Sequence, residues 1–368
     1  MTMKTDITHL YLHVPFCRTI CSYCDFCHVV YRRETADRWL QALARQLAGS
    51  AIAPQKTVYI GGGTPSCLDH DQLETLLLMA SAYRDRDCEF TVELNPESMD
   101  EEKAELLVKY GVNRVSIGYQ TNDAAMLKMM NRRHSAEDVN DLCGMLKRHG
   151  IDNISLDIMY SLPGQTMDQM QNAVRTALEM NPAHLSLYSL MVEEHTVFGR
   201  KGVQPCDEDT EADMYEWIMR TLPEYGYEQY EISNFARDGL YSAHNLAYWH
   251  YDDFYGFSCG ASGKEGLLRY DNTRDLKAYL NDPFLRNEIL LSEEEAMFEH
   301  VMMELRLKQG MSLEAFRDRR GREYMDVFGK KTEALITQGL LETDGRNLKA
   351  TERGYEILNT VLEELMDE

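Results

Sequence analysis

The stretch YLHVPFCRTICSYCDF, residues 11–26, decides how the chain begins to fold. Its first residues, Tyr11–Val14, form a short β-rich run that predicts a strand. Three cysteines, Cys17, Cys21 and Cys24, follow at C-x3-C-x2-C spacing. Thiolates are the usual ligands of iron–sulfur clusters, so three of them on a tight loop can hold three irons of a 4Fe–4S cluster. The fourth iron is then open to a small molecule that receives an electron.

The spacing of these cysteines also bears on zinc and on simpler roles. Structural zinc sites usually need four ligands in two separated pairs, which this spacing does not offer. A chance group of cysteines or a redox pair is the plainer alternative, because motif matches carry false positives. Cys27 is open to two interpretations, a fourth ligand or a spare thiol, and we favour the spare thiol.

Strands and helices alternate after this stretch. The strands are predicted at Tyr11–Val14, Val58–Gly61, Phe90–Leu94, Arg114–Gly118, Ile154–Met159 and Leu185–Leu190. Helices are predicted to start near Thr35, Asp69, Ser98, Asp123, Ser135 and Thr166, with capping boxes at Asp69, Ser98 and Thr166. Six β-then-α units predict parallel strands with right-handed crossovers. The fold class is therefore α/β, with a partial (β/α)6 barrel rather than a closed barrel of eight.

Two further regions follow the barrel, which we expect over residues 1–225. Residues 226–290 are rich in Tyr, Gly, Asn and Asp and predict an irregular or antiparallel segment flanking the barrel. Residues 291–368 begin with a capping box at Ser292 and contain a hairpin signal at Asp344-Gly345. Helices with one hairpin predict a C-terminal, helical, winged-helix-like domain.

Polar and glycine residues follow several of the predicted strands. They are the triplet Gly61–Gly63 with Thr64, then Glu93, Gln120, Arg132 and Asp157. Each can have a purely structural role, since a carboxylate at a strand end is often a helix cap and three glycines are a weak turn signal. In parallel α/β barrels, however, the chemistry lies at the C-terminal strand ends. We therefore expect these residues to share one rim with the cysteines.

The motifs YLHVPFCRTICSYCDF, YIGGGTP, VELNP, SIGYQ, NRRHSAED, SLDIMYSLPGQT, EQYEISNFA and HNLAYW together resemble radical S-adenosylmethionine (SAM) proteins. Within them, the chain is similar to the oxygen-independent coproporphyrinogen III oxidase-like family, in particular its HemW-type haem chaperones. The resemblance covers residues 8 to 310 and is weaker beyond. It implies a 4Fe–4S cluster, SAM, and reductive cleavage of the sulfonium to methionine and a 5′-deoxyadenosyl radical.

The resemblance also implies roles for individual residues. It makes Cys17, Cys21 and Cys24 the cluster ligands and lets SAM chelate the open iron. The positions that match cofactor contacts in the family are Tyr11, Tyr23, Gly62, Gly63, Thr64, Glu93, Gln120, Arg132 and Asp157.

The family contains oxidases and chaperones, and two features separate them here. The oxidase has a fourth cysteine two residues after the third, where this chain has Phe26. It also has an extra N-terminal segment, for which this chain, whose cluster strand begins near residue 10, has no room. Both features favour the chaperones.

The sequence HNLAYW, residues 244–249, matches a motif of the haem-handling group. The resemblance therefore implies that His244 ligates haem iron, flanked by Tyr248 and Trp249. The alternative is a core histidine bonded to a backbone carbonyl. His250 and Cys27 are further candidate ligands.

Three positions depart from the family pattern without removing a cluster ligand. Ser262 stands where a histidine is usual, Tyr119 where a small aliphatic residue is usual, and Ser161 where a glycine is usual. These departures leave a divergent substrate or a shifted haem site open.

Composition limits the classes of partner. The net charge of −23 makes a nucleic-acid role unfavourable. The scattered cysteines, the apolar runs too short for a membrane span and the N-terminus MTMKTDITHL, which lacks a signal peptide, favour a reduced cytoplasm. The sequence leaves peripheral membrane docking and a homodimer open.

Three hypotheses follow. The first is a carrier that binds haem and delivers it to apo-haemoproteins such as cytochromes, using the cluster and SAM to control delivery. The second is a radical enzyme acting on a porphyrin(ogen) or another methyl acceptor. The third, an iron–sulfur electron carrier, needs no cofactor pocket and so leaves the glycine triplet with Glu93 without a role.

Overall fold

The computed structural model describes residues 7–366. Its strands are β1 (His9–Val14), β2 (Phe16–Cys17), β3 (Val29–Val30), β4 (Gln55–Gly62), β5 (Arg84–Leu94), β6 (Arg114–Gln120), β7 (Asn153–Tyr160), β8 (His184–Ser189), β9 (Glu228–Gln229), β10 (Asn234–Ala236), β11 (Tyr255–Phe257), β12 (Ser262–Glu265), β13 (Leu268–Asn272), β14 (Arg286–Leu290), β15 (Met311–Ser312), β16 (Leu341–Thr343) and β17 (Asn347–Ala350).

The helices are α1 (Arg33–Ala48), α2 (His70–Ser81), α3 (Glu101–Lys109), α4 (Ala124–Met129), α5 (Ala136–Arg148), α6 (Met167–Glu179), α7 (Val197–Arg200), α8 (Glu208–Thr221), α9 (Ala243–Trp249), α10 (Leu276–Asn281), α11 (Glu293–Glu304), α12 (Leu313–Arg320), α13 (Tyr324–Thr337), α14 (Glu352–Glu356) and α15 (Leu358–Met366). Short 3-10 turns lie at Pro65–Cys67, Pro96–Ser98 and Leu222–Tyr225.

A nine-stranded sheet with the order β11-β1-β4-β5-β6-β7-β8-β10-β9 forms the centre of the molecule. The six strands from β1 to β8 in this order run parallel, which confirms the predicted (β/α)6 arrangement. Two additions were not predicted. β11 extends the sheet in parallel beside β1, and β10 pairs antiparallel with β8. The parallel strands all point their C-terminal ends to one rim, which is where the site lies.

The core follows from the burial of both faces of the central strands. All residues of β6 are buried, as expected for a parallel strand between two others with helices outside. Helices α1, α2, α5 and α6 turn Trp39, Leu76, Leu142 and Val174 onto the sheet. These side chains belong to one continuous apolar cluster that makes the barrel wall rigid.

The helix caps test the local sequence signals. The capping boxes at Asp69, Thr166 and Ser292 are confirmed. The one at Ser98 is wrong, because Asp100 caps α3 by accepting from the backbone N–H of Lys103. The hydroxyl of Ser98 instead donates to the carbonyl of Asn95 at 2.9 Å, which ends a 3-10 turn.

Residues after the barrel form two smaller sheets. The segment predicted to be irregular or antiparallel contains the meander β12-β13-β14, preceded by α9, which carries the HNLAYW motif. The C-terminal part has helices α11 to α15 around the sheet β15-β17-β16, whose hairpin turns at Asp344-Gly345 as predicted. It has an apolar cluster of its own, as a winged-helix-like unit requires. The division of the chain at residues 225 and 290 stays a prediction.

Across residues 7–366, none of the helices combines the length and the apolar character needed to cross a membrane. The first six residues, on which part of the signal-peptide expectation depends, lie outside the described part of the chain.

Candidate functional site

A cavity of about 1190 Å³ lies at the C-terminal rim of the parallel strands. We call it the first cavity. It is lined by Cys17, Cys21, Tyr23, Cys24, Gly62, Gly63, Thr64, Glu93, Gln120, Arg132 and Asp157. These are all the residues predicted for the site except Tyr11 and His244. The C-terminal part of the chain closes the cavity from above with Tyr355 and Asn359.

The cysteine loop is held in place by contacts on both sides. Cys17 is buried in β2, which pairs with β3 across the loop, and the hydroxyl of Thr64 donates to its sulfur at 3.4 Å. The guanidinium of Arg132 donates to the sulfur of Cys21 at 3.7 Å. The sulfur of Cys24 lies 3.7 Å from Nδ1 of His28. The three thiols therefore face one cavity from one short loop.

The donor set fits a cluster better than a single ion. Among the residues described, no three His, Cys, Asp or Glu side chains converge on one ion position. A 4Fe–4S cluster needs no such convergence, because each cysteine binds a different iron. Burial raises the pKa of Cys17 to about 11 and that of Cys24 to about 12, so both thiols hold their protons until a metal displaces them.

The glycine turn after β4 brings backbone close to the cysteine loop. Gly62 has a φ of 108°, and a Cβ on Gly63 would lie 2.5 Å from the carbonyl oxygen of Phe16, so neither position admits a side chain. The N–H groups of the turn are occupied, since Gly62 donates to Glu93 and Thr64 donates to Phe16. What the turn can offer a ligand is carbonyl oxygen, which suits an ammonium group.

Two carboxylates lie inside the barrel below this turn. Glu93 accepts from the hydroxyl of Tyr59 at 2.9 Å and from the N–H of Gly62 at 3.0 Å. Burial, and then the charge of Asp157, raises the pKa of Glu93 to about 7. Burial raises the pKa of Asp157 to about 6, although Ser116 donates to it at 2.8 Å. Both pKa values stay raised although the charge of Arg114, and at Asp157 also that of Arg132, acts against burial, so a further positive charge would stabilise the carboxylates.

Gln120 and Arg132 complete the rim beside these carboxylates. Gln120 adopts a φ of 64° where the register of β6 and β7 shifts, which is a strained conformation for a residue with a side chain. Arg132 donates to the carbonyl of Gly118 at 2.6 Å and to Asn95 at 3.1 Å, while its Nε has no partner among the described residues. The guanidinium is thus fixed in direction with donor capacity left over.

Sequence reasoning missed Arg114, the first residue of β6. It is 2% exposed, lines the first cavity, and its Nε has no hydrogen-bond partner within the described chain. The charge of Arg114 lowers the pKa of both Glu93 and Asp157, so this cation faces two carboxylates already, and its free Nε can in addition donate to an anionic group in the cavity. The signal was available in the strand itself, where Arg114, Ser116 and Gly118 alternate on the inward face with large apolar residues between them.

A second cavity, of about 660 Å³, lies next to the first. Both cavities are lined by Phe26, Tyr188 and Asn245, so they adjoin along this boundary. The second cavity also contains Tyr248 and Trp249 of the HNLAYW motif. Other lining residues include Tyr11, His13, Cys27, Arg269, Arg274, Met302 and Met303. Tyr11, expected at the cofactor, thus faces this second space.

His244 lines neither of the two cavities. It is 1% exposed, and its ring stacks on Tyr59 with centroids 5.0 Å apart. Its Nδ1 lies 2.7 Å from the hydroxyl of Thr57 and its Nε2 lies 2.7 Å from the hydroxyl of Tyr248. Burial holds its pKa well below the usual value, so the ring is neutral. In this geometry His244 positions Tyr248 and has no nitrogen left for iron.

The three departures from the family pattern have structural consequences. Ser161 adopts a φ of 57°, the conformation that a glycine would favour, and its hydroxyl donates to Glu211 at 3.0 Å. Tyr119 is buried and donates to the carbonyl of Ala173 at 3.0 Å. Ser262 is exposed and its hydroxyl donates to Asp271. None of the three disturbs the first cavity.

Comparison with protein families gives two matches. The model of the Radical SAM superfamily matches residues 11–177, and that of the HemN C-terminal domain matches residues 291–357. The first range contains the cysteine loop and the strands β4 to β7.

Curated relatives match over nearly the whole chain. "Heme chaperone HemW" of Lactococcus lactis subsp. lactis (strain IL1403) is 38% identical, over 97% of this chain and 96% of the relative. Proteins of the same name from Bacillus subtilis (strain 168) and Escherichia coli (strain K12) are 35% and 33% identical, over 95% and 98% of this chain and 97% and 98% of theirs.

Among solved structures, coproporphyrinogen III oxidase (HemN) from Escherichia coli superposes with a TM-score of 0.86. It is 20% identical, and the match covers 99% of this chain and 91% of that one. At this identity the likeness shows a shared fold.

Proposed function

The chain belongs to the radical SAM family of proteins named Heme chaperone HemW, and from this premise we propose that it binds haem and delivers it to apo-haemoproteins. The acceptors that we propose are apo-cytochromes or other apo-haemoproteins. The radical SAM family implies a 4Fe–4S cluster and SAM, which suit the first cavity, while haem is the cargo.

The observation that carries this proposal is the second cavity. Its volume of about 660 Å³ is within the usual range for cofactor pockets. Tyr248, Trp249, Met302 and Met303 supply apolar and aromatic surface for a macrocycle. Haem also carries two carboxylate arms. Arg269 and Arg274 lie on the same cavity, and although Arg269 pairs with Glu299 and Arg274 donates to the carbonyl of Asp25, their remaining N–H groups can receive these arms.

The geometry bears on the iron ligand. His244 has both ring nitrogens bonded. Nδ1 of His250 lies 3.3 Å from a carboxylate oxygen of Glu304, and His250 does not line the second cavity. Of the three candidates from the sequence, Cys27 is the one that lines the second cavity. We therefore place haem against Cys27 and assign His244 a supporting role beneath Tyr248.

The first cavity is assigned to the cluster and SAM. When bound, they supply one-electron reduction of a sulfonium. Cys17, Cys21 and Cys24 would hold the cluster, Arg132 and Arg114 would meet a carboxylate, and the carbonyls of the glycine turn would accept from an ammonium. Phe26, at the place of the oxidase's fourth cysteine, lines both cavities and separates cofactor from cargo.

A surface on which the haem acceptor could dock lies at the edge of the first cavity. Large apolar side chains are exposed there, with Phe26 57% exposed and Met191 72% exposed, and both border the first cavity. Exposed apolar surface beside a pocket is typical of a docking site. We propose that the acceptor contacts this edge while haem leaves the second cavity.

The proposal is tested by haem retention in anaerobically reconstituted protein after gel filtration. We compare wild type with Trp249→Ala and use Trp217→Ala as the matched control. Both tryptophans are partly buried and have an arginine over the ring, but Trp217 lies on α8 away from the second cavity. We expect retention by wild type and Trp217→Ala and at least a tenfold loss of affinity in Trp249→Ala.

Two other results contradict the proposal. Equal retention by all three proteins places haem outside the second cavity. No retention by wild type removes support for a carrier, and the porphyrin(ogen) enzyme is then tested by looking for porphyrin product. His244→Ala is included because loss of haem with unchanged folding would restore the histidine as the ligand.

A further inference from the structure

Cys27 and Cys259 meet in the folded chain although 232 positions separate them in the sequence. Their sulfur atoms are 3.6 Å apart, and both thiols are free. Cys27 follows the three cluster cysteines in the loop, and Cys259 follows β11. Neither belongs to the C-x3-C-x2-C set, so the cluster site does not explain their contact.

The backbone around this thiol pair is held firmly on both sides. Nε2 of His13 donates to the carbonyl of Cys27 at 2.7 Å. Arg274 donates to the carbonyl of Asp25 at 2.6 Å, and the sulfur of Cys27 donates to the carbonyl of Arg274 at 3.3 Å.

Gly260, next to Cys259, adds a steric condition. A Cβ at Gly260 would lie 2.3 Å from the Cβ of Cys27, and its φ is 84°. Only glycine lets the two segments approach this closely. The contact between the thiols is therefore built into the backbone.

The two thiols differ in access to solvent. Cys259 is 0% exposed, whereas Cys27 is partly exposed and borders the second cavity. The hydrogen bond from Cys259, helped by the charge of Arg274, lowers the pKa of Cys27, and its donor role raises the pKa of Cys259. An accessible thiol beside a protected one is the arrangement of an attacking and a resolving cysteine.

We propose that Cys27 and Cys259 are a dithiol–disulfide site, distinct from the cluster ligands and oxidised reversibly by small disulfides of the glutathione class. A bond between them needs the sulfur atoms to approach from 3.6 Å to about 2.05 Å. It would tie the segment after the cluster loop covalently to the end of β11, at the wall of the second cavity. This inference goes beyond the proposed function and requires neither haem nor SAM to be bound.

The reaction balances in two exchange steps. The thiolate of Cys27 attacks one sulfur of oxidised glutathione, forms a mixed disulfide and releases one glutathione thiolate. Cys259 loses its proton and attacks the sulfur of Cys27 in the mixed disulfide, which releases the second glutathione thiolate. The protein pair loses two electrons and two protons, and the small disulfide gains them as two thiols.

The test uses the full-length, reconstituted protein under anaerobic conditions with oxidised glutathione as the oxidant. Free thiols are alkylated, the protein is digested with trypsin without reduction, and peptides are identified by mass spectrometry. Absorption near 400 nm is followed in the same sample to show that the cluster cysteines stay bound. The variants are Cys259→Ala, Cys27→Ser and the control Cys206→Ser, whose thiol donates to the carbonyl of Leu162.

We expect wild type and Cys206→Ser to give a disulfide between the peptide of residues 19–32 and that of residues 238–264, with the absorption retained. In Cys259→Ala the reaction should stop at a glutathione adduct on Cys27. Cys27→Ser should give neither product. Reduction with dithiothreitol should return both thiols in wild type.

Three results would overturn the inference. The first is that both cysteines are still alkylated after treatment with fully oxidised glutathione. The second is a glutathione adduct on Cys27 that persists in wild type as it does in Cys259→Ala, and the third is a cross-link that appears only as the cluster absorption is lost. Haem retention is measured separately on the reduced protein, so failure of the carrier proposal leaves this result intact.

Discussion

In the first cavity, Arg114 and Arg132 each keep a buried Nε without a partner in the described chain, whereas beside the second cavity His244 has both ring nitrogens bonded. Both regions contain residues that family resemblance marks as ligand contacts. The difference shows that such a residue either has a free donor for a ligand or has a structural role in the wall of the cavity. Its remaining hydrogen-bond capacity distinguishes the two roles.

The largest expected effect concerns the cluster. Cys17→Ala, Cys21→Ala or Cys24→Ala should abolish absorption near 400 nm in reconstituted protein, because each removes the ligand of one iron. Cys27→Ala should retain it. Full absorption in any of the first three variants would contradict the assignment, and loss in Cys27→Ala would make Cys27 a fourth ligand.

The next effect tests the wall role of His244. His244→Ala leaves the Tyr248 hydroxyl without its partner, leaves the buried Thr57 hydroxyl with His9 alone, and opens a space beneath Tyr59. We expect the free energy of unfolding to fall by about 3–5 kcal/mol, measured by urea denaturation of the cofactor-free protein.

Asn245→Ala, one residue further along α9, is the control for His244. Asn245 is partly buried at the boundary of the two cavities, and we expect a change below about 1 kcal/mol. Equal stabilities of the two variants would mean that His244 is not part of the wall.

The third effect is a pH dependence. The pKa of Glu93 is raised from 4.5 to about 7 in the folded chain, so the folded state binds more protons than the unfolded state between these values. The stability that this group contributes is therefore full below pH 4.5 and is lost as pH rises through 7. The loss is about 3 kcal/mol for this group, and Glu93→Gln should remove it.

Urea denaturation of the cofactor-free protein across this pH range measures the slope. Glu105→Gln, on the exposed side of α3, should leave the slope unchanged. If the free energy of unfolding still falls with pH in Glu93→Gln, the pH dependence belongs to Asp157, whose pKa is raised to about 6.

The smallest effect tests whether the free hydrogen-bond donor of Arg132 in the first cavity contacts SAM. Lysine cannot bond Gly118 and Asn95 as the guanidinium does and still face a ligand, so Arg132→Lys should weaken SAM binding about tenfold, or about 1.4 kcal/mol. Calorimetric titration of reconstituted protein measures this. Arg133→Lys, its exposed neighbour, should bind as wild type does, and equal affinities of wild type and Arg132→Lys would contradict a contact at Arg132.

Local sequence signals predicted the six parallel strands because each strand is buried and precedes a helix. The same order along the chain indicated Glu93 and Asp157 as residues of one rim. Ser98 shows the limit of local rules. Its spacing fits a capping box, but its hydroxyl donates to the carbonyl of Asn95, and Asp100 caps α3 instead.

Contacts between distant segments gave no local signal. Thr57 and His244 are 187 positions apart, and their bond decides that the motif histidine faces inward. The pairing of β11 with β1 and the approach of Cys27 to Cys259 are of the same kind. Composition and periodicity report only neighbours along the chain, so these features needed the folded structure.

The first cavity has a floor and a roof of different origin. The barrel provides the floor, whereas Tyr355 and Asn359 of the C-terminal part form the roof, with the Tyr355 hydroxyl donating to the carbonyl of Arg306 at 2.6 Å. Because separate stretches of the gene encode the two surfaces, mutations can reshape the roof without touching the cysteines or the glycine turn. The residues of the roof can therefore differ between relatives while the cysteine loop and the glycine turn stay the same.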